Sequence, residues 1–307
     1  MSEREFDVLV IGELNADLIL TGDVTPMFGQ VEKLVDDATL TVGSSAAIFA
    51  CGAAQLGLRT AFIGTCGADE FGRYMLRELE GRGIDTQGML INPVVKTGLT
   101  VHLSRGTDRA MLTYPGTIPL LRYADVDRGL FSRARHLHLA SYFMLDSLRP
   151  DVPKLFQDAH AAGMTISLDT NYDPSEQWNA GLAQALQEVD VFLPNETELC
   201  RITRHDSVEA ALESLSQRVP LVAVKQGAAG ATARQGLARY QSGPGPLSGQ
   251  QHPGSSRRYD RRRGQLRCRI HLRVSGRMGV EPNTAICVRV RCTLYPGARW
   301  HRRSGNG

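Results

Sequence analysis

Apolar and polar positions along the chain fall into short runs separated by turn residues, and the runs alternate between strand and helix periods. Asp7-Val8-Leu9-Val10-Ile11-Gly12 is a continuous apolar run closed by glycine, as expected of a buried central strand. From Glu13 to Leu20 the period is two, which sets Asn15 and Asp17 on one face and Leu14, Ala16 and Leu18 on the other. The small-residue stretch Ser44 to Leu56, following Gly43, predicts a closely packed helix, and Ala61-Phe62-Ile63-Gly64 predicts a strand. Asp69-Glu70-Phe71-Gly72 opens a helix with Phe71, Met75 and Leu79 at four-residue spacing before Gly81 and Gly83 end it. Between 92 and 118, Val101-His102-Leu103 and Ala110-Met111-Leu112-Thr113-Tyr114 flank Gly106-Thr107-Asp108, predicting a hairpin added to the main sheet and placed to cover a cleft.

Strand and helix then alternate again. His136-Leu137-His138-Leu139 predicts a strand, 150–162 a helix, Thr165-Ile166-Ser167-Leu168-Asp169 a strand and 179–188 a helix, followed by strands at Val191-Phe192-Leu193 and Leu221-Val222-Ala223-Val224. This rhythm predicts a doubly wound parallel sheet, whose ligands bind beyond the carboxyl ends of its strands. There the sequence places Asn15 and Asp17, Asp169-Thr170-Asn171, Asn195-Glu196-Thr197-Glu198 and Lys225-Gln226-Gly227.

Composition changes the picture little: of 307 residues, 42% are hydrophobic and 22% charged, which excludes collagen, coiled coil and wholesale disorder. No apolar run approaches the roughly 18–20 residues of a membrane helix, and Glu3 and Glu5 put acids where a secretory signal is basic, so the expected location is cytoplasmic. Charge changes it more. The net +3 conceals a tail, 249–307, with 14 Arg, no Lys and only Asp260 and Glu281, against a net −9 for residues 1–248. The chain therefore divides into a body of 1–248 and an Arg-rich tail of 249–307. Cys51, Cys66 and Cys200 are scattered, and Cys268, Cys287 and Cys292 form no C-x-x-C pair, so the six read as reduced thiols.

In this order over about 240 residues, a set of individually modest motifs resembles the ribokinase-like (PfkB) carbohydrate kinase family. They are Gly12 through Asp17, the Gly43-initiated helix ending Gln55-Leu56-Gly57, Ile63 through Gly72, Thr97-Gly98, Asp108-Arg109-Ala110, Ser167 through Pro174, Pro194 through Glu198, and Lys225 through Gly230. The resemblance implies a three-layer α/β/α doubly wound core with a small β lid, formed by about 14–35 and 92–118, and an irregular C-terminal tail. It implies transfer of the ATP γ-phosphoryl group, with Mg²⁺, to a sugar hydroxymethyl. By the same analogy Asn15, Asp17, Gly43 and Ser44 bind the sugar, Arg109 reaches down from the lid, Asn195 and Glu198 organise Mg²⁺ through water, and Lys225 and Gly227 border the nucleotide. Ser44 stands where the family usually has the second glycine of a pair, Ile48 where it usually has Asn, and Lys225 where a hydroxyl residue is frequent. The sugar is left open among fructose, ribose, a keto-deoxy acid and a nucleoside. Oligomeric state is also open, with pairing of two chains through the lid as one expectation.

Plainer readings stand beside these. Asn195-x-x-Glu198 is also a helix capping box, and a helix start favours anions, so the two roles are compatible. His136 and His138 read as packed or hydrogen-bonded, Asp173-Pro174 as a turn, and Asp69-Glu70 as helix-start acids. None of the four lysines follows a glycine as in a phosphate-binding P-loop, and no G-x-G-x-x-G follows the first strand, which argues against a P-loop kinase and a nicotinamide dehydrogenase.

One family element is missing. Phosphoryl transfer needs N–H groups for the developing charge and a carboxylate base, which the family supplies with Asp-Thr-x-Gly-Ala-Gly-Asp. The printed chain has no such motif, so no catalytic base is assigned, and after Ser248 its arginine-rich stretch shows neither period. A shifted reading frame accounts for this. If each codon takes the last two bases of one printed codon and the first of the next, Tyr259–Asp260 encodes only Thr or Met, and Asp260–Arg261 only Thr or Ile. The permitted string from Arg258 is Asp-Thr-Thr-Gly-Ala-Gly-Asp-Ser-Phe, and Gly and Ala codons read one base off become the arginines. Activity of the printed chain is expected to be impaired. Two alternatives remain: a nucleic-acid-binding protein using the basic tail, against which the scarcity of interleaved aromatics argues, and a catalytically silent sugar-binding regulator.

Overall fold

The computed structural model describes residues 4–106, 108–236, 267–274 and 286–293. In chain order its strands are β1 (Phe6–Ile11), β2 (Asn15–Thr21), β3 (Asp37–Val42), β4 (Thr60–Gly67), β5 (Asp85–Asn92), β6 (Gly98–Arg105), β7 (Asp108–Tyr114), β8 (Ala134–Ala140), β9 (Thr165–Asp169), β10 (Val191–Phe192), β11 (Leu221–Lys225), β12 (Ala231–Gln235), β13 (Arg267–Val274) and β14 (Ile286–Thr293). The α-helices are α1 (Ser45–Gln55), α2 (Glu70–Glu80), α3 (Val152–Ala161), α4 (Leu182–Ala185), α5 (Glu196–Thr203) and α6 (Val208–Ser216).

Eight strands form the main sheet in the order β12-β11-β10-β9-β8-β1-β4-β5, and every ladder from β5 through β11 is parallel. Being buried on both faces, β1 feeds two cores. Leu9 and Ile11 join Ile63, Leu137, Leu139, Phe156 and Phe192 on one side. Val8 and Val10 join Phe62, Met75, Leu79 and the alanines of α1 on the other. Helices therefore cover both faces, as the continuous apolar runs required. The connections run one way from β1 through β4 to β5 and the other way from β8 outward, so the sheet reverses direction between β1 and β8. A crevice opens at the carboxyl ends of strands at such a switch point.

A second, four-stranded sheet has the order β3-β2-β6-β7. The hairpin β6–β7 belongs here and not to the main sheet, and β3 joins it although no strand was anticipated there, so the lid extends through Val42. Its formation depends on a parallel ladder between β2 and β6, residues far apart in sequence, which no local pattern encodes. Asp69 ties the lid's base to the core: its Oδ1 accepts from Gly72 N and Thr97 Oγ1, and its Oδ2 from Thr97 N, each at 2.8 Å. These bonds outweigh the raising effect of burial and hold the Asp69 carboxyl below its ordinary value.

Two other expectations change. The helix at 179–188 shrinks to the single turn α4 followed by a 3₁₀ turn, because the loop before it takes left-handed backbone at Trp178, Ala180 and Gly181. The tail is not wholly irregular: β13 and β14 pair antiparallel from Arg267–Thr293 to Val274–Ile286. Its signal was present, since Cys268, Ile270, Leu272 and Val274 alternate with Arg267, Arg269, His271 and Arg273. Of the described residues, 226–231 and the β13–β14 pair fall in a second compact unit, apart from 4–225 and 232–236. The segment in which the shifted frame would place its motif lies outside the described residues.

Candidate active site

The lid supplies one wall of the crevice. Parallel register places Asp17 opposite Thr100, so Asn15, Asp17, Thr100 and His102 share a face. Asn15 Nδ2 donates to Asp17 Oδ1 at 2.9 Å and to Thr100 Oγ1 at 3.3 Å, and His102 Nε2 lies 3.0 Å from Asp17 Oδ2. Burial raises the Asp17 carboxyl, and His102, Asn15 and Arg109 pull it down without cancelling that effect. Arg109, on β7, thus acts on Asp17 electrostatically while its own side chain stays exposed. At Gly43 a Cβ would stand 2.2 Å from Asp17 Oδ1 and 2.7 Å from Asn15 Nδ2, so only glycine allows the chain to cross this pair.

The crevice floor comes from the ends of β1, β8 and β9 and the start of α1. Ser44 caps α1, its Oγ accepting from Ala47 N at 3.0 Å and donating to Glu13 O at 2.6 Å. Its hydroxyl proton is therefore directed to the Glu13 carbonyl in the floor. Ser44 has φ 66° and ψ 127°, a backbone conformation that glycine takes readily. Ser44→Ala retains the strain and loses both bonds, whereas Ser44→Gly loses the bonds and relieves the strain. Urea unfolding is expected to show Ala less stable than Gly here by about 1–2 kcal/mol, the reverse of ordinary helix propensity.

Beneath Ser44 lies a cluster of which the sequence pointed to Asn171 alone. Glu13 Oε1 accepts from Ser45 N at 2.8 Å and Ser45 Oγ at 3.1 Å; Ser45 Oγ meets Ser141 Oγ at 2.9 Å; and Asn171 Nδ2 donates to Ser141 Oγ at 2.6 Å and also to Ser45 Oγ. Burial pushes the Glu13 carboxyl up, and its Oε2 has no hydrogen-bond partner. The available signal was spacing, since Glu13 lies two and four residues before Asn15 and Asp17. Ile48, at the usual Asn position, is 56% exposed.

Farther along the same edge, Asn195 and Glu198 close a reciprocal cap on α5. Asn195 Oδ1 accepts from Glu198 N at 2.8 Å, and Glu198 accepts from Asn195 N at 2.8 Å and Asn195 Nδ2 at 2.6 Å. Lys225 bridges to Asn195 across the strands, and its Nζ lies 2.5 Å from Asp169 Oδ2. Burial works against the charge on Lys225, but Asp169 and Glu198 more than offset it and its pKa is raised. Burial also raises Glu198, against the pull of Lys225. Asn195 engages both Glu198 oxygens, which holds the carboxylate in place at the start of α5. Among the described residues no group of three His, Cys, Asp or Glu could hold a metal directly. Gly227, at φ 54°, opens a 3₁₀ turn in the smaller unit.

His136 and His138 lie on one face of β8, buried. His136 contacts Thr165 Oγ1 at 2.8 Å and Ser167 Oγ at 2.7 Å, His138 contacts Ser167 Oγ at 2.8 Å, and the His138 ring stacks on Phe49. Cys51, Cys66 and Cys200 are free thiols. Among the described residues no helix is long and apolar enough to cross a membrane.

Comparison with known proteins agrees with this architecture. An uncharacterized sugar kinase of Archaeoglobus fulgidus is 27% identical over 60% of this chain and 73% of its own length. A probable fructokinase-5 of Arabidopsis thaliana is 26% identical over 61% of each chain, so the present chain spans less than two thirds of that relative. In fold, a ribokinase II described as putative, from E. coli and solved with ATP and Mg²⁺, superposes with a TM-score of 0.66 at 23% identity, covering 75% of both chains. Residues 5–245 match the pfkB family carbohydrate kinase as a whole, and the chain belongs to that family.

Proposed function

We propose that residues 1–248 form the body of an ATP-dependent sugar kinase that phosphorylates a hydroxymethyl group, and that the printed chain, lacking the family's base and anion-hole motif, turns over poorly. The observation that carries this reading is the presence, in a chain of this family, of the hydrogen-bonded Asn15–Asp17 pair on lid strand β2 together with the Asp169–Lys225 ion pair at the carboxyl ends of β9 and β11. Asn15, Asp17 and Gly43 face the sugar with Arg109 above them. Asp17 accepts hydrogen bonds from substrate hydroxyls, and Asn15 fixes its orientation. Asn195, Glu198 and Lys225 border the phosphates, and Glu198 and Asp169 supply the negative potential that a hydrated Mg²⁺ requires. Bound Mg²⁺ would neutralise developing phosphate charge. The kinase is cytoplasmic in this reading. Two copies pair through the lid, consistent with the open edges of β3 and β7 and with Leu112 and Tyr114, which are 60% and 51% exposed.

Asp17→Asn tests the sugar side. Hydrogen bonds to a charged group contribute about 1.5–3 kcal/mol each, so losing the acceptor is expected to weaken sugar binding about a hundredfold. The measurement is sugar-induced thermal stabilisation across fructose, ribose, a keto-deoxy acid and a nucleoside. A variant stabilised as strongly as the wild type would remove Asp17 from the site.

A further inference from the structure

We propose that His102 is a positioning residue of the sugar site, holding the Asp17 carboxylate in the orientation from which both its oxygens accept adjacent substrate hydroxyls. This rests on the sugar-kinase reading above. His102 occupies β6 between Val101 and Leu103, and register places it beside Ile19, two residues beyond the Asp17–Thr100 pair. Its side chain is 11% exposed and that of Asp17 16%, so the two are withdrawn from water together. Asp17 Oδ1 is contacted by Asn15 from its own strand and Oδ2 by His102 from the neighbouring one. Contacts on both oxygens, from different strands, fix the carboxylate torsion.

The count of acceptor sites then specifies the ligand. A carboxylate offers about four lone-pair directions; Asn15 uses one on Oδ1, and His102 Nε2 stands 3.0 Å from Oδ2. The remaining pair, one per oxygen, suits two neighbouring hydroxyls of a polyol. Pre-ordering such an acceptor lowers the entropic cost of binding. His102 Nε2 makes no aligned hydrogen bond to any described group, Asp17 included, and Asp17 Oδ2, at 3.0 Å, is the ionic partner that the structure gives this buried nitrogen.

The electrostatic surroundings agree. The titratable groups facing Asp17 are His102 from β6 and Arg109 from β7; Asn15 on β2, Thr41 on β3 and the Gly43–Ser44 turn before α1 carry no charge. Of these, His102 exerts the strongest pull toward the ionised carboxylate, ahead of Asn15 and Arg109.

The test uses the full chain as wild type, His102→Leu, His102→Gln and Asp17→Asn, with D-fructose and D-ribose as probes in thermal melts between pH 4.5 and 8. His102→Leu is expected to weaken sugar binding about tenfold at pH 7.5 and to move its acid midpoint up by about one unit. His102→Gln, which keeps a donor, is expected to recover affinity to within about threefold. Wild-type affinity and midpoint in His102→Leu, with binding lost in Asp17→Asn, would overturn the role of His102 and leave the sugar site standing. Failure of both sugars to stabilise the wild type would count against the sugar site itself. Carboxyl-carbon NMR of Asp17 without sugar then decides the positioning: an upward titration shift in His102→Leu supports it, and an unchanged midpoint overturns it.

Discussion

Restoring the shifted frame from codon 258 onward is expected to raise sugar-dependent ADP release by about four orders of magnitude over the printed chain. A positioned general base contributes roughly 10²–10⁴-fold, and one anion-hole donor roughly 10²–10³-fold, although groups acting as a unit do not combine as a simple product. The printed sequence holds neither in the family's form, because Asp-Thr-x-Gly-Ala-Gly-Asp does not occur in it. The frame-shifted string supplies both, with glycines that open a helix start and an aspartate following them. Its constrained positions matter most: only two amino acids are allowed at each of the two Thr sites, whereas arginine junctions are permissive. Coupled-enzyme turnover of the two chains, with matched sugar binding as control, checks the expectation. Equal rates would show that the chemistry resides elsewhere, and an intact genomic frame across codons 240–260 would remove the shift itself.

Acid is expected to destabilise the body steeply between about pH 6.5 and 4.5, with His136 and His138 responsible for much of the slope. Burial holds the His136 pKa down to about 3, from an ordinary 6.5, and lowers His138 as well. In that window the unfolded chain binds protons that the folded one refuses, so stability falls as pH falls. Each unit corresponds to 1.36 kcal/mol, so the proton that His136 refuses costs about 3 kcal/mol at pH 4.5, and His138 adds in the same direction. The lowered carboxylates Asp7, Asp69 and Asp173 lose their contribution only as pH drops through their still more acidic range. Glu13 and Asp17, whose values are raised, act in the opposite direction. Urea titrations at several pH values check this. His136→Gln should lower the pH slope by about one proton, and a slope identical to that of the wild type would place the acid sensitivity elsewhere.

Asn15 and Asp17 were legible because a period of two is a property of neighbouring residues, and β2 keeps it. The same holds for α1, α2, the apolar strands and the Asn195–Glu198 cap, whose determinants lie within a turn or two of chain. Where local signals failed, the missing information lay far away. Glu13 reads as one polar residue among several until Ser45 and Ser141 arrive from α1 and the end of β8. His102 reads as an interruption in a lid strand until β2 pairs with β6 and brings Asp17 within 3.0 Å. Even the substitution at Ser44 was visible only as a departure from a glycine; its inward-turned hydroxyl depends on the carbonyl of Glu13.

By itself, the sequence determined the alternation of elements, the two-faced burial of the central strands, the family and the absence of the catalytic motif from the printed tail. Each follows from short-range periodicity, turn chemistry or an ordered string of residues. Only the tertiary structure decided that the hairpin belongs to a separate lid sheet, that Ser44 is a cap, and that His102 stands against Asp17. Those outcomes require strands from distant parts of the chain to meet, and a polar group has a role only once the partner that desolvates or bonds it is in place.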